Sequence, residues 1–321
     1  GKKQGGILRD NFHNRCAGCR VWRWPGIQKG RGCTLIMYKT ILVGFDDSLS
    51  SKAALIEASN WVKKHSGRII LVHAVYFDPE EFGIAPEQLE KRLKAGEKVC
   101  VQAKGMLTSE FGIEVQSLLC EGEPPTVIVD MAREKKADLI VLGTYGRRGL
   151  NRLLMGSVTS QVIVNSHTDV LVVKKECSKC TGVYKSILVP FDGSEFSKKA
   201  IVRACELSKI DGAGITVLYV IPRYEEMIGF FKTDSIRKSL MREAERIVDE
   251  AKGIASKQGV VVNTEITEGP SGEEILTTAF KLNNDLIVMG SHGWRGVSKA
   301  IMGSTAERVI TNASCPILVV R

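Results

Sequence analysis

The chain repeats itself. Residues Thr40 to Ser48 read TILVGFDDS and residues Ser186 to Ser194 read SILVPFDGS, an offset of 146 positions. Farther along, DLIVLG at Asp138 to Gly143 recurs as DLIVMG at Asp285 to Gly290, an offset of 147. A period of that size is a whole domain rather than a solenoid unit, so the chain is expected to hold two copies of one fold. The boundaries read from the repeat are residues 37–175 for the first copy, 176–184 for a linker carrying Cys177-x-x-Cys180, and 185–321 for the second.

Within each copy, short β-branched runs alternate with longer helical patterns. In the first copy Ile41 to Phe45 reads as a strand, and Ser51 to Lys64 places Ala54, Leu55, Ala58, Trp61 and Val62 on one helical face. Strands follow at Ile69 to Val75, near Glu114 to Leu119, at Leu139 to Leu142 and at Val170 to Val173. Helices are expected from Pro86 to Glu110, after Pro125 and from Ser157. The second copy repeats this order and ends on Ile317 to Val320. Strands joined by crossover helices imply a parallel sheet covered on both faces. The fold class is therefore α/β: two tandem doubly wound, five-stranded, Rossmann-like domains, with any ligand bound beyond the carboxyl ends of the strands where the strand order reverses.

The loops most alike between the copies lie at that position. After the fourth strand come Gly143, Gly146, Gly156 and Ser157 in the first copy and Gly290, Gly293, Gly303 and Ser304 in the second, both fitting Gly-x-x-Gly-x9-Gly-Ser. Glycine admits positive φ and close approach of an anion. The Gly-Ser pair opens a helix, whose unpaired amides and positive dipole end favour phosphate. A glycine after a strand is often only a turn, but two copies in one register argue for a phosphate cradle. Asp46 and Asp192 end the first strand of each copy, where a carboxylate can accept from a ribose hydroxyl or an adenine amino group, or can instead take part in a helix cap. For Ser48 and Ser194 the capping role is favoured. Arg148 and Arg295 recur inside the loops as either solvated charges or phosphate contacts.

On these residues, and on the start Met37-Tyr38-Lys39-Thr40-Ile41-Leu42-Val43, both copies resemble universal stress protein domains of the ATP-binding kind, over residues 37 to 321. The resemblance implies ATP or a related adenine nucleotide, with or without magnesium. Adenine would lie against the second strand near Ala74 and Val220, with Asp46 or Asp192 close to the nucleoside. The glycine loops with Val158 and Thr305 would take ribose and phosphates. Pro190 matches the family's usual residue, whereas Gly44 departs from it.

Efficient catalysis is not indicated. The sequence has no Gly-x4-Gly-Lys-Ser/Thr loop and no Gly-x-Ser-x-Gly elbow. His292 in one glycine loop is matched by Tyr145 in the other, and His73 by Tyr219, so neither histidine reads as a base shared by both copies. No catalytic or metal-binding residue is assigned. The expectation is a nucleotide-responsive stress or regulatory protein with one site per repeat; the alternatives are a slow ATP hydrolase acting as a timed signal and a metal or redox module built from the Cys-x-x-Cys pairs.

Charge and cysteine usage bear on compartment and partners. The formal charge is +9, but residues 1–36 hold eight basic side chains against one acid, so the body is nearly neutral and the basicity belongs to that segment. It lacks helical or strand periodicity and is expected to be disordered; a nucleic-acid or membrane-surface arm is the lesser reading. Of nine cysteines, Cys16, Cys19, Cys33, Cys177 and Cys180 lie outside the repeats, which argues against a disulfide framework and for a reducing, cytoplasmic setting. No apolar run is long enough to span a bilayer. The apolar last strands, Val170 to Val173 and Ile317 to Val320, are expected at sheet edges, through which the two repeats would pair and a homodimer could further form.

Overall fold

The computed structural model describes residues 37–76, 86–146, 155–174, 181–222, 234–293 and 302–321. The tail, the first Cys-x-x-Cys, Cys177, Cys180, Arg148 and Arg295 lie outside the described residues. In chain order the elements are β1 (Thr40–Gly44), α1 (Leu49–His65), β2 (Arg68–Val75), α2 (Pro86–Met106), β3 (Val115–Glu121), α3 (Pro124–Glu134), β4 (Leu139–Gly143), α4 (Ser157–Asn165) and β5 (Asp169–Val173). The second half gives β6 (Ser186–Pro190), α5 (Glu195–Asp211), β7 (Gly214–Pro222), α6 (Asp234–Lys257), β8 (Asn263–Gly269), α7 (Ser271–Lys281), β9 (Leu286–Gly290), α8 (Ser304–Asn312) and β10 (Ile317–Val320).

The strands form a single ten-stranded sheet in the order β3-β2-β1-β4-β5-β10-β9-β6-β7-β8. Each half is parallel and reverses its order between its first and fourth strands, β1 with β4 and β6 with β9. The halves meet where β5 and β10 pair antiparallel, Leu171 opposite Leu318. Side-chain alternation divides the interior into two layers. Ile41, Val43, Leu139 and Val141 face one apolar cluster with Ala54, Leu55 and Ala58 of α1. Leu42, Ile70, Ile140 and Leu142 face the other, with Ile128 of α3 and Val162 of α4. Both clusters continue across the β5–β10 junction, which is why the central strands read as unbroken apolar runs.

Local chemistry sets the helix ends. Ser48 and Ser194 are the N-caps of α1 and α5 and accept from the amides of Ser51 and Ser197, satisfying donors that the first turn leaves open. Gly212, at φ 72°, ends α5 in the left-handed region that suits glycine. One difference from the periodicity is at the end of the long second helix: α2 stops at Met106 and continues as a π-helical turn, Leu107–Phe111, before Gly112 at φ 67°. That turn buries Leu107 completely beneath the sheet, a packing demand that periodicity alone does not express.

Buried polar pairs lock the junction. Tyr38 donates to Asp169 Oδ2 at 3.0 Å, and Arg203 Nε approaches the same oxygen at 2.7 Å. Tyr184 donates to Glu57 Oε1 at 2.6 Å, and His65 Nε2 lies 3.2 Å from Asp211 Oδ1. Tyr184, at the end of the sequence-defined linker, is thus buried against α1.

Candidate functional site

The candidate sites lie at the carboxyl ends of β1 and β4 and, equivalently, of β6 and β9. Asp46 leaves β1 two residues beyond Gly44, which pairs with Val72; Ala74 lies two residues beyond Val72 on the same rim, opposite Cys120. Asp192 and Val220 stand in the same relation to Pro190 and Leu218. Both aspartates are half-buried, and each uses Oδ1 to hold the start of the next helix: Ser48 N donates to Asp46 Oδ1 and Ser194 N to Asp192 Oδ1, both at 3.0 Å.

The other carboxylate oxygen faces the glycine loop. A methyl group built on Gly146 would stand 3.0 Å from Asp46 Oδ2, and one on Gly293 would stand 2.6 Å from Asp192 Oδ2. The second glycine of each loop therefore admits the carboxylate next to the loop backbone. The first glycine serves packing: a methyl on Gly143 would meet Ser50 C at 2.6 Å, and one on Gly290 would meet Phe196 Cβ at 2.5 Å. Strand β4 or β9 can lie against the first turn of α1 or α5 only because no side chain intervenes.

Gly156 and Gly303 are the N-caps of α4 and α8 and offer no side-chain cap, so the first-turn amides after them have no capping side chain of that residue. Their φ values of −61° and −64° are ordinary, and none of the six loop glycines has positive φ. The positive φ that glycine admits is thus not used at these positions. At Gly156 the constraint is space, because a methyl there would lie 3.0 Å from Thr144 O; at Gly303 the nearest atom, Ser291 O, is 3.7 Å away. Ser157 and Ser304 are exposed at the first helical position, while Val158 and Thr305 are half-buried. Val158 and Val220 pack against the apolar cluster below the site.

The two sites differ at the end of the first strand. At Gly44 a methyl group would collide with Leu142 Cδ2 at 2.5 Å and Ile128 Cδ1 at 3.0 Å, so neighbouring side chains occupy the room that Pro190 fills in the second repeat. They differ also at Tyr145 and His292. Burial raises the Tyr145 phenol above its usual range, and the hydroxyl donates to Thr311 O at 3.5 Å. His292 is buried, its Nδ1 2.9 Å from Ser291 Oγ and its ring 5.4 Å from that of Phe196. His73 is likewise buried, with Nδ1 2.6 Å from the Phe45 carbonyl oxygen, where it fastens β2 to the end of β1.

The sequence reading missed the residues that pin the loops. Ser48 and Ser50 both donate to the Tyr145 carbonyl, and Thr159 Oγ1 donates to Gly143 O at 2.7 Å. A signal was available for the first two: a Ser-x-Ser pair at a helix start opposite a glycine loop. Among the described residues no cluster of three or more His, Cys, Asp or Glu side chains could hold a metal ion.

Two doubly wound units with the strand order 3-2-1-4-5, each with a glycine loop and an acidic residue at the reversal point, define a Rossmann-like α/β protein in duplicate. The chain belongs to the universal stress protein family, whose model matches it twice, over residues 37–174 and 183–321. It is 37% identical over 142 residues to universal stress protein MJ0531 of Methanocaldococcus jannaschii, an alignment covering 43% of this chain and 83% of that protein. It is 25% identical over 293 residues to universal stress protein Rv2005c of Mycobacterium tuberculosis, covering 88% of this chain and 96% of that one. The crystal structure of a universal stress protein from Archaeoglobus fulgidus superposes with a TM-score of 0.65 at 20% identity, over 88% of this chain and 98% of that one, and so shares the fold.

Proposed function

We propose that the protein is an adenine-nucleotide-binding regulator of the stress response that holds one nucleotide in each repeat, ATP being the first candidate, with or without magnesium. The observation that supports this most is the duplicated convergence of an aspartate Oδ2, a loop glycine with no side chain facing it and a helix N-terminus capped only by glycine. The carboxylate suits hydroxyl or amino donors of a nucleoside, and the helix start suits its phosphates. Residues 37–175 and 185–321 serve as the two binding domains, with Asp46, Ala74, Gly143, Gly146, Gly156, Ser157 and Val158 lining the first site. Pro190, Asp192, Val220, Gly290, Gly293, Gly303, Ser304 and Thr305 line the second. In solution the repeats stay paired through β5 and β10. Among the described residues no helix is long and apolar enough to cross a membrane, in keeping with a cytoplasmic working place.

The test is calorimetric titration with ATP of the wild type, Gly156→Val, Gly303→Val and the double variant, with circular dichroism as a control for folding. A branched side chain at the helix start displaces a phosphate from the amides. Loss of two charge-assisted hydrogen bonds at roughly 1.5–3 kcal/mol each weakens a site by about 10² to 10⁴. Each single variant should keep one of two sites and the folded double variant neither. Two wild-type-affinity sites in the double variant would refute the assignment, and phosphate release in a single-turnover experiment would turn the reading to a slow hydrolase.

A further inference from the structure

A basic residue follows the last strand of each repeat, Lys174 after β5 and Arg321 after β10, at equivalent positions 147 residues apart. Because β5 and β10 run antiparallel, each cation is delivered to the other repeat. Lys174 Nζ donates to Thr311 O at 2.5 Å, in the last turn of α8. Arg321 Nη2 donates to Val164 O at 2.8 Å, in the last turn of α4, and its Nε donates to Ser166 O at 2.7 Å just beyond. Val164 and Thr311 are themselves equivalent positions. The final carbonyls of a helix lack intrahelical partners and carry the negative end of its dipole, so each cation is anchored on a helix of the opposite repeat.

Arg321 is also tied to the glycine loop of its own repeat, and in the first repeat the loop is tied to the strand residue just before Lys174. Arg321 Nη1 donates to Ser291 Oγ at 3.0 Å, and Ser291 lies between Gly290 and Gly293 with no exposed surface. In the first repeat Thr144 donates from N and Oγ1 to Val173 O at 3.1 and 3.2 Å, immediately before Lys174, and Tyr145 in the same loop reaches Thr311 O directly. The helices gripped at their C-termini are nine residues long, and their N-termini, at Gly156 and Gly303, open the opposite sites. At 1.5 Å per residue about 13 Å of rigid helix separates grip from site.

We propose that Lys174 and Arg321 are positioning residues that couple the two nucleotide sites, each transmitting the setting of its own repeat's loop to the helix whose N-terminus forms the other site. The proposal rests on the adenine-nucleotide reading of those sites. Among the described residues Arg321 holds Val164, Ser166 and Ser291 through its guanidinium and Asp169 Oδ1 through its backbone amide, and Lys174 holds Thr311 of α8.

The experiment titrates the full chain with ATP and magnesium by calorimetry. Single-site affinities come from Gly156→Val and Gly303→Val, and the two-site isotherm of the wild type is compared with the sum of those two independent sites. The expected result is a departure of about fivefold or more in the second binding step. The variant Lys174→Gln/Arg321→Gln should bring that departure within about twofold of independence while each site still binds ATP. Arg321→Lys should restore part of it. A change in thermal stability alone, with coupling intact, would mean that the cations only brace the junction and would overturn the proposal. So would a wild-type isotherm that follows the independent sum. A wild type that binds no ATP overturns the nucleotide reading itself and is recognised at the first titration. If the double variant loses its circular dichroism signature, Ser291→Ala takes its place, because it cuts the link between Arg321 and the second loop, together with the Ser291–His292 contact inside that loop, and leaves the Arg321 grip on α4 in place; coupling unchanged in that variant likewise overturns the proposal.

Discussion

The glycines of the loops can be told apart by one substitution made at two places. In Gly290→Ala the new methyl group would stand 2.5 Å from Phe196 Cβ, 2.9 Å from its carbonyl carbon and 3.1 Å from its carbonyl oxygen, so α5 must move. Overpacking of this kind costs about 1–3 kcal/mol, and the lower chain entropy of unfolded alanine returns roughly 0.4–1 kcal/mol. The expected net loss is about 1–2 kcal/mol. In Gly303→Ala the methyl meets nothing closer than Ser291 O at 3.7 Å, and φ is already −64°. There the same entropy gain roughly offsets the poorer N-cap, and stability should stay within about 0.5 kcal/mol. Urea unfolding followed by circular dichroism measures both. With a slope near 3 kcal/mol/M, Gly290→Ala should shift the midpoint down by roughly 0.3–0.7 M, and Gly303→Ala should barely move it. If the two variants unfold at the same urea concentration, or in the reverse order, the assignment of Gly290 to packing and Gly303 to ligand access is wrong.

Asp211 supplies a pH test: burial raises its carboxyl above the usual aspartate range, against the opposing pull of the Tyr184 amide and His65. A raised folded-state pKa means the folded protein holds the proton longer than the unfolded chain, so this group's contribution to stability falls as pH rises through the window from the ordinary aspartate range upward. Urea midpoints of the wild type and Asp211→Asn compared from pH 4 upward should therefore differ by an amount that changes across that window; a constant difference would refute the assignment. Burial pushes the Cys205 thiol up to about 11, and the residue has no exposed surface, so iodoacetamide at pH 8 should label Cys205 only after unfolding. Mass-spectrometric detection of rapid labelling in folded protein would contradict the packing of α5.

The strand and helix order was legible because each element has its own period and the whole pattern occurs twice. Central strands such as Ile41–Val43 have both faces covered and hence appear as apolar runs, while α1 shows its inward stripe and its Ser48 cap in the residues themselves. The π turn at Leu107–Phe111 was not legible, since it answers to the depth at which Leu107 must sit beneath the sheet. The glycine loops were found for a reason only partly physical. A sequence shows that Gly143 and Gly146 lack side chains but not what takes the vacated space; the structure puts the first turn of α1 against Gly143 and a carboxylate against Gly146. The aspartates had two readings, cap or ligand; the structure places Oδ1 on the serine amide at the helix start and Oδ2 toward the loop. Lys174 and Arg321 escaped notice although their recurrence after VLVV and ILVV is visible, because a lone cation after a strand has no meaning until the antiparallel junction supplies its partner.

That junction also bears on how a duplicated chain avoids pairing with the wrong copy of itself. Glu57 of α1 and Arg203 of α5 occupy equivalent positions, 146 residues apart, yet carry opposite charges. Each reaches a tyrosine of the other repeat: Glu57 accepts from Tyr184, and the Arg203 guanidinium lies 5.7 Å from the Tyr38 ring centre while its Nε pairs with Asp169. Glu57 is 1% exposed, so its charge has no recourse to water. Were two first repeats to pair in this way, two glutamates would be buried at the seam and neither Asp169 would have Arg203 beside it; two second repeats would bring two arginines without an Asp169 for either. Like charges placed at the junction disfavour both arrangements, whereas the first repeat against the second sets Glu57 on the Tyr184 hydroxyl and Arg203 beside Asp169. A single repeat that dimerised with itself could not hold such an asymmetric seam. Covalent linkage permits it, because the two sides are then free to diverge.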